Sequence, residues 1–303
     1  MAATLAATEI GLPLVRGGLS LFPLFNDLSP VPGYLSGAKA VAAGQFGADE
    51  LASGAVVGEL EIHNQAAKVL LLIDGETLLG ADQNRCLDVS VLCPARSVTP
   101  VAVSCVEAGR WGAHRTTTRS SRLSPGALRA RNRAAVGYAV RSGDDPRGDQ
   151  GEVWGGVSAY AQRLQADAPT SALEDVHRSA ETEVSKLIEG TSPLKGQRGV
   201  AAYVGGDLLA IDLFDSADTM ASYWEGLVGG YALDAIGHPS ATVRRRQVRS
   251  VFASLAAAPA VRAPNRGLGE SLHVLTDAVA ATALCRSGVV VHLGAGPSMV
   301  SVR

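Results

Sequence analysis

The chain has 303 residues, 47% of them apolar, and carries 27 Lys and Arg against 29 Asp and Glu for a net charge of −2. That length suits one large domain or two ordinary ones, with a core that needs no disulfide staples. The near balance of charge excludes a general nucleic-acid or membrane-surface role for the whole molecule, and no apolar run of about 18 residues is present to span a membrane.

Residues Met1 to Glu9 lack the basic and long apolar segments of a secretory signal. The four cysteines, Cys86, Cys93, Cys105 and Cys285, form no C-x-x-C pair and have no His at zinc-ligand spacing. A reduced, cytoplasmic protein without a bound metal is expected.

In chain order, Leu19 to Phe25, interrupted by Pro23, reads as an edge strand or extended arm, and Ser36 to Gly44 as a short helix. Val56 to Ile62 alternates apolar and polar residues, as a half-buried strand does. Val69 to Ile73 is continuously apolar, which predicts a strand covered on both faces. Asp74-Gly75 then signals a hairpin. Cys86 to Cys93 alternates again, with Leu87, Val89, Val91 and Cys93 on one face and Asp88 and Ser90 on the other. Val98 to Glu107 reads as a further strand. Gly112 to Ser124, rich in Ser, Thr and Arg, reads as a long loop, and Pro125 to Val140 as a helix.

Arg141 to Gly151, rich in Gly, Asp and Pro, is the natural boundary; its Arg147-Gly148-Asp149 tripeptide reads as chance. It divides a β-rich, mostly antiparallel domain (1–143) from an α+β domain (144–303), or marks a bend in one continuous domain. Beyond it, helical faces run through Val153 to Leu164 and through Leu173 to Leu187, the latter opened by a capping-box pattern from Ser171 to Glu174. A hairpin turns at Gly205-Gly206, between Val200–Val204 and Leu208–Phe214. Asp215 or Ser216 caps the helix that follows, another helix lies near Arg244 to Ala257, and three short strands end the chain. The expected class is α+β.

Two polar runs sit where strands end, as binding groups commonly do. Gln83, Asn84 and Arg85 suit recognition of a planar polar group or phosphate, or form a turn bonded to its own backbone. Glu107, Arg110 and Trp111 form the second run: Arg110 with the indole could hold an anionic group on a flat ring. The alternative is a structural clasp of Glu107 with Arg110 or Arg85, with Trp111 closing the core. If the chain is an enzyme, Glu107 is the expected general base. Cys105 reads as a buried inert thiol, and Asp212 with Asp215 as a weaker carboxylate pair.

From Arg110 to Arg141 there are eight arginines and no acidic residue, which predicts either a positive rim for a phosphorylated ligand or a solvated face balanced by the acidic stretch Glu174 to Glu189. Only Trp111 and Tyr138 supply aromatics there, so RNA is an unfavoured partner, and DNA is not expected. Gly294-Ala-Gly296 precedes Pro297 rather than a helix, so no dinucleotide or P-loop cofactor site is expected.

The order of motifs resembles the ARG and Rhodanese-Phosphatase-superfamily-associated protein family. The resemblance rests on Phe22-Pro23-Leu24-Phe25, Asp74-Gly75-Glu76, Gly80 to Arg85 and Val103 to Trp111, with looser echoes at Val153-Trp154, Gly196 to Val200, Phe214-Asp215 and Trp224 to Ala235. Relatives often carry lysine where this chain has Asp82. The resemblance implies a link to nucleotide or ADP-ribose metabolism, through the binding or processing of a small phosphorylated ligand. The alternative is a non-catalytic adaptor that docks a partner enzyme on the same rim.

Overall fold

The computed structural model describes residues 1–110 and 115–298. In chain order the elements begin α1 (Ala2–Ala6), β1 (Glu9–Ile10), β2 (Leu14–Arg16), β3 (Leu19–Phe25), β4 (Tyr34–Ser36), α2 (Gly37–Ala42), β5 (Phe46–Asp49) and β6 (Glu59–Asn64). There follow β7 (Val69–Leu72), β8 (Glu76–Ala81), β9 (Arg85–Leu87), β10 (Val91–Cys93), β11 (Ser97–Cys105), β12 (Arg115–Leu123), α3 (Gly126–Ser142) and α4 (Gln150–Arg163). Next come α5 (Leu173–Ser179), α6 (Glu181–Ile188), β13 (Gly199–Val204), β14 (Asp207–Phe214), α7 (Ala217–Ala235) and α8 (Arg245–Ala257). The last are β15 (Val261–Pro264), β16 (Glu270–Leu275), β17 (Val279–Arg286) and β18 (Val289–Pro297). The protein is α+β, strand-rich in its first half and richer in helices in its second.

Three sheets organise these elements. The largest runs β1-β3-β13-β14-β18-β17-β16-β15, with β2 also on β3. It therefore joins residues 9–25 to strands from the far end of the chain. A second sheet runs β10-β7-β4 and a third β12-β8-β9-β11-β6-β5. The described pairings are antiparallel apart from β4 with β7. One face of the large sheet packs on α7, through Phe214, Met220, Tyr223, Leu227 and Tyr231. Its other face packs on α8, through Phe22, Ile211, Val248, Phe252 and Leu255.

Several local expectations give way to tertiary packing. The strand Leu19–Phe25 is not an edge: β13 pairs along one side of it and β1 and β2 along the other. Pro23 acts on the neighbour instead, splitting it into β1 and β2 at Gly11, where an added Cβ would stand 2.7 Å from the Pro23 ring. Asp74-Gly75 is not a hairpin turn, because β7 and β8 enter different sheets; it is the corner between them, with Gly75 at φ +82°. Cys86 to Cys93 is likewise two strands, β9 and β10, and Asp88 and Ser90 are turned inward to hydrogen-bond.

The stretch read as a loop before Ser124 is largely the strand β12, paired with β8. Its Thr residues favour a pleated backbone, and α7 covers it: on Gly226 an added Cβ would lie 2.7 Å from the Ser121 carbonyl. The helical face expected from Leu173 to Leu187 is two helices, and Ser171, at φ +52°, caps neither of them. Ser216 alone caps α7, accepting from the Thr219 amide. Asp215 accepts hydrogen bonds from Tyr34 Oη and the Val31 amide, so it forms no pair with Asp212.

The junction of the layers is ionic. Arg129 and Arg133, one turn apart on α3 and thus on one face, enter the space between β14 and the Asp74 corner. Arg129 grips Asp212 bidentately at 3.0 and 2.6 Å, and its Nε donates to the Asp74 carbonyl at 3.1 Å. Arg133 reaches the Asp74 carboxylate at 2.8 Å. His292 Nε2 lies 3.1 Å from Asp212, its Nδ1 lies 2.8 Å from Ser90 Oγ, and Tyr231 Oη donates to Asp212. Gly75 and Gly294 supply the room, since a Cβ on either would collide with Arg129 or Arg133.

All six charged or titratable members are at most 3% exposed. Burial works to neutralise Asp74 and Asp212, but the two guanidiniums and His292 outweigh it and hold both carboxyls below their ordinary range. Such groups stabilise the fold above the unfolded Asp value of about 3.9, and that contribution is lost as pH falls through their depressed folded values. Removing one partner strands the others. Arg129→Ala is expected to lower unfolding free energy by about 3–5 kcal/mol at pH 7, measured by urea denaturation. Wild-type stability should also decline below about pH 4, and less steeply in Asp212→Asn.

Candidate functional site

The two polar runs meet. At the end of β8 the backbone takes Gly80 to φ +119° and Ala81 to φ +47°, and the carbonyls of residues 80–82 there accept from one side chain. Arg110 collects them: Nη1 donates to the Ala81 and Asp82 carbonyls at 3.0 and 3.1 Å, and Nη2 to Gly80 at 3.2 Å. The same Nη2 lies 3.2 Å from Asn84 Oδ1 and 2.7 Å from Glu107 Oε2. Asn84 closes the turn by accepting from the Gly80 amide, and its own amide donates to Glu107.

Glu107 is braced from a third side. Thr170 Oγ1 donates to its Oε1 at 3.0 Å, and the Gly109 amide donates to the Thr170 carbonyl at 2.7 Å. Gly109 is required there, because a Cβ would lie 2.9 Å from the Thr170 backbone. Burial acts to raise the Glu107 pKa, yet the hydrogen bonds from Arg110, the Asn84 amide and Thr170 prevail and hold it below the usual carboxylate range. A general base works best with a pKa near the operating pH, so this environment suits a structural anion better than a proton acceptor.

Gln83 and Arg85 turn inward rather than toward a rim. Gln83 donates to the Glu107 carbonyl at 3.0 Å and accepts from Arg85 at 3.2 Å; Arg85 is fully buried and its Nε donates to the Val57 carbonyl. Cys105 sits beside them with its thiol pushed up by burial. Trp111 lies outside the described residues. The arrangement is therefore the clasp form of this cluster. Among the described residues no three His, Cys, Asp or Glu side chains form a metal-holding group, and no helix is long and apolar enough to cross a membrane.

The arginine run is mostly an internal framework. Arg110 pairs with Glu107, Arg119 with Glu76, and Arg129 and Arg133 with Asp74 and Asp212. Arg122 alone of these meets the acidic stretch, at Glu174 and Glu181. Arg141 donates to the Leu275 carbonyl. Apart from Glu107, three residues before Arg110, the partners come from distant parts of the sequence, so an acid-free window gave no sign of them.

An open groove of about 590 Å³ lies between α3 and the start of α4. The small side chains Ala134, Ala135 and Ala139 floor it, and Arg131, Tyr138, Arg147, Asp149 and Glu152 line it. Ser104 and Cys105, just ahead of the second polar run, hold the groove's wall in place. Gln150 brackets the Cys105 backbone with hydrogen bonds of 2.7 and 2.9 Å. Asp88, fixed by Ser104 and Asn132, accepts from the Gly148 amide at 2.9 Å. Sequence reasoning missed this groove; its one local sign was the Arg147-Gly148-Asp149 tripeptide.

This is an α+β scaffold whose motif residues brace one another beside a mixed-charge groove. The family described as ARG and Rhodanese-Phosphatase-superfamily-associated Protein domain matches residues 7–295, and the chain belongs to it. No curated protein and no solved structure matches the chain.

Arg110→Ala would strand the buried Glu107 carboxylate and three turn carbonyls, at a cost of about 3 kcal/mol by urea denaturation. Arg110→Ala combined with Glu107→Gln should recover part of that loss.

Proposed function

We propose that the chain binds a small phosphorylated ligand of the nucleotide or ADP-ribose type in the groove between α3 and α4. The observation that carries this reading is the grouping of Arg131 and Arg147 with the 62%-exposed ring of Tyr138 around a groove of about 590 Å³. That volume falls within the roughly 300–1,000 Å³ of small-molecule sites. Guanidiniums suit a diphosphate, an exposed phenol offers a base a stacking face, and Asp149 and Glu152 can accept from ribose hydroxyls. The family's description, with its mention of ARG, is in keeping with such a ligand. Four unpaired, buried cysteines favour a reducing, cytoplasmic setting.

Isothermal titration with ADP-ribose, ADP and inorganic phosphate at low salt tests the reading. Saturable ADP-ribose binding is expected, weakened at least about tenfold by Arg147→Ala, the equivalent of about 1.4 kcal/mol. Arg262→Ala, on β15 and outside the groove lining, should leave it unchanged. Absence of binding, or equal binding by Arg147→Ala, would overturn it. A partner enzyme captured through this groove in place of any nucleotide would favour the adaptor reading.

A further inference from the structure

A second cavity, of about 170 Å³, lies between α6 and α7, on the side of α7 that Gly226, Gly229 and Gly230 leave low. It is independent of the groove between α3 and α4. On Gly229 an added Cβ would meet nothing within 4 Å, so the hollow reaches the helix backbone there. Its volume is close to that of the roughly 150 Å³ engineered cavity that accepts a benzene-sized molecule. An occupant therefore has only a handful of non-hydrogen atoms.

The polar lining is specific. His177 is 6% exposed and faces this cavity, and its Nε2 is buried without a hydrogen-bond partner among the described residues. Burial and the nearby Arg122 guanidinium push its pKa down to about 4, so the ring is neutral at ordinary pH. A hydrogen bond to the Leu123 backbone acts in the opposite sense. A carbonyl there is an acceptor, so Nδ1 carries the proton and Nε2 presents a lone pair. A buried acceptor left unpaired costs roughly 1–3 kcal/mol, which a donor placed in the cavity would recover.

The charges agree with that demand. Arg122, the one cation of the lining, is already engaged by Glu174 and Glu181. Glu225 adds a further carboxylate, and Val184 offers an apolar wall. The lining thus combines surplus negative charge, an unmatched acceptor and a short aliphatic surface. It repels phosphate and suits a cation with several N–H donors. Ammonium groups have three.

We propose that the cavity between α6 and α7 is a binding site for a small organic ammonium ion, held by His177 Nε2 and the Glu225 carboxylate with its aliphatic part against Val184. None of the eight residues of α6 is fully buried. An occupant bridging the two helices would therefore clamp α6 onto α7, and amide exchange in α6 reports on it directly.

The test uses the full chain and butylammonium as the probe, with 1-butanol as its uncharged analogue. Expected are saturable butylammonium binding by isothermal titration, slower amide exchange across residues 181–188, and binding at least tenfold weaker for 1-butanol. Glu225→Gln, at an exposed position, should weaken the ion at least fivefold without altering the fold. Gly229→Leu should fill the hollow and abolish binding while keeping the wild-type circular dichroism. Equal binding of the alcohol, butylammonium binding that survives both substitutions, or no binding by the folded chain would each overturn the proposal.

Discussion

The bidentate grip of Arg129 on Asp212 holds the architecture together. Asp212 lies in the middle strand region of the large sheet, Asp74 at the corner where the chain leaves the second sheet for the third, and α3 carries both arginines into the gap. Charges buried this deeply are tolerated only when each is paired and hydrogen-bonded. Here Tyr231, Ser90 and His292 complete the set. The cluster makes the placement of α3 conditional on both sheets at once, and the groove floor, on the opposite side of that helix, inherits its position from it.

A similar economy governs the motif residues. Gly80 to Arg85 and Ser104 to Arg110 look like a ligand rim because polar groups at strand ends are typical of binding sites. In the fold they meet as expected, but they satisfy one another: Arg110 serves the turn carbonyls, Glu107 serves Arg110, and Thr170 serves Glu107. Ser104 and Cys105 reach the groove one step removed, by fixing Gly148 and Gln150. The conspicuous residues shape the wall, and less conspicuous ones face the solvent.

The sequence made the class and most elements legible because their signals are local. The Gly205-Gly206 hairpin, the strand Ser97–Cys105 and the helix after Ser216 all follow from period, turn chemistry and capping. Errors concentrate where a distant partner decides. Asp74-Gly75 has the composition of a hairpin turn, yet its neighbours pair with β10 and β12, which lie further along the chain. The segment before Ser124 has little to bury on its own account and becomes a strand through β8 and α7. The convergence of Asn84 with Arg110 could be anticipated from strand ends. Their mutual saturation could not, because it depends on the left-handed geometry of Gly80 and Ala81 and on Thr170.

The Arg129–Asp212 contact is a mutually dependent buried pair and not two separate contributions. A double-mutant cycle in urea with Arg129→Met, Asp212→Leu and the pair measures it. A coupling of about 3 kcal/mol is expected, with the double variant more stable than Asp212→Leu alone, since neither charge is then left without its partner. Two losses that simply add, within about 0.5 kcal/mol, would contradict it.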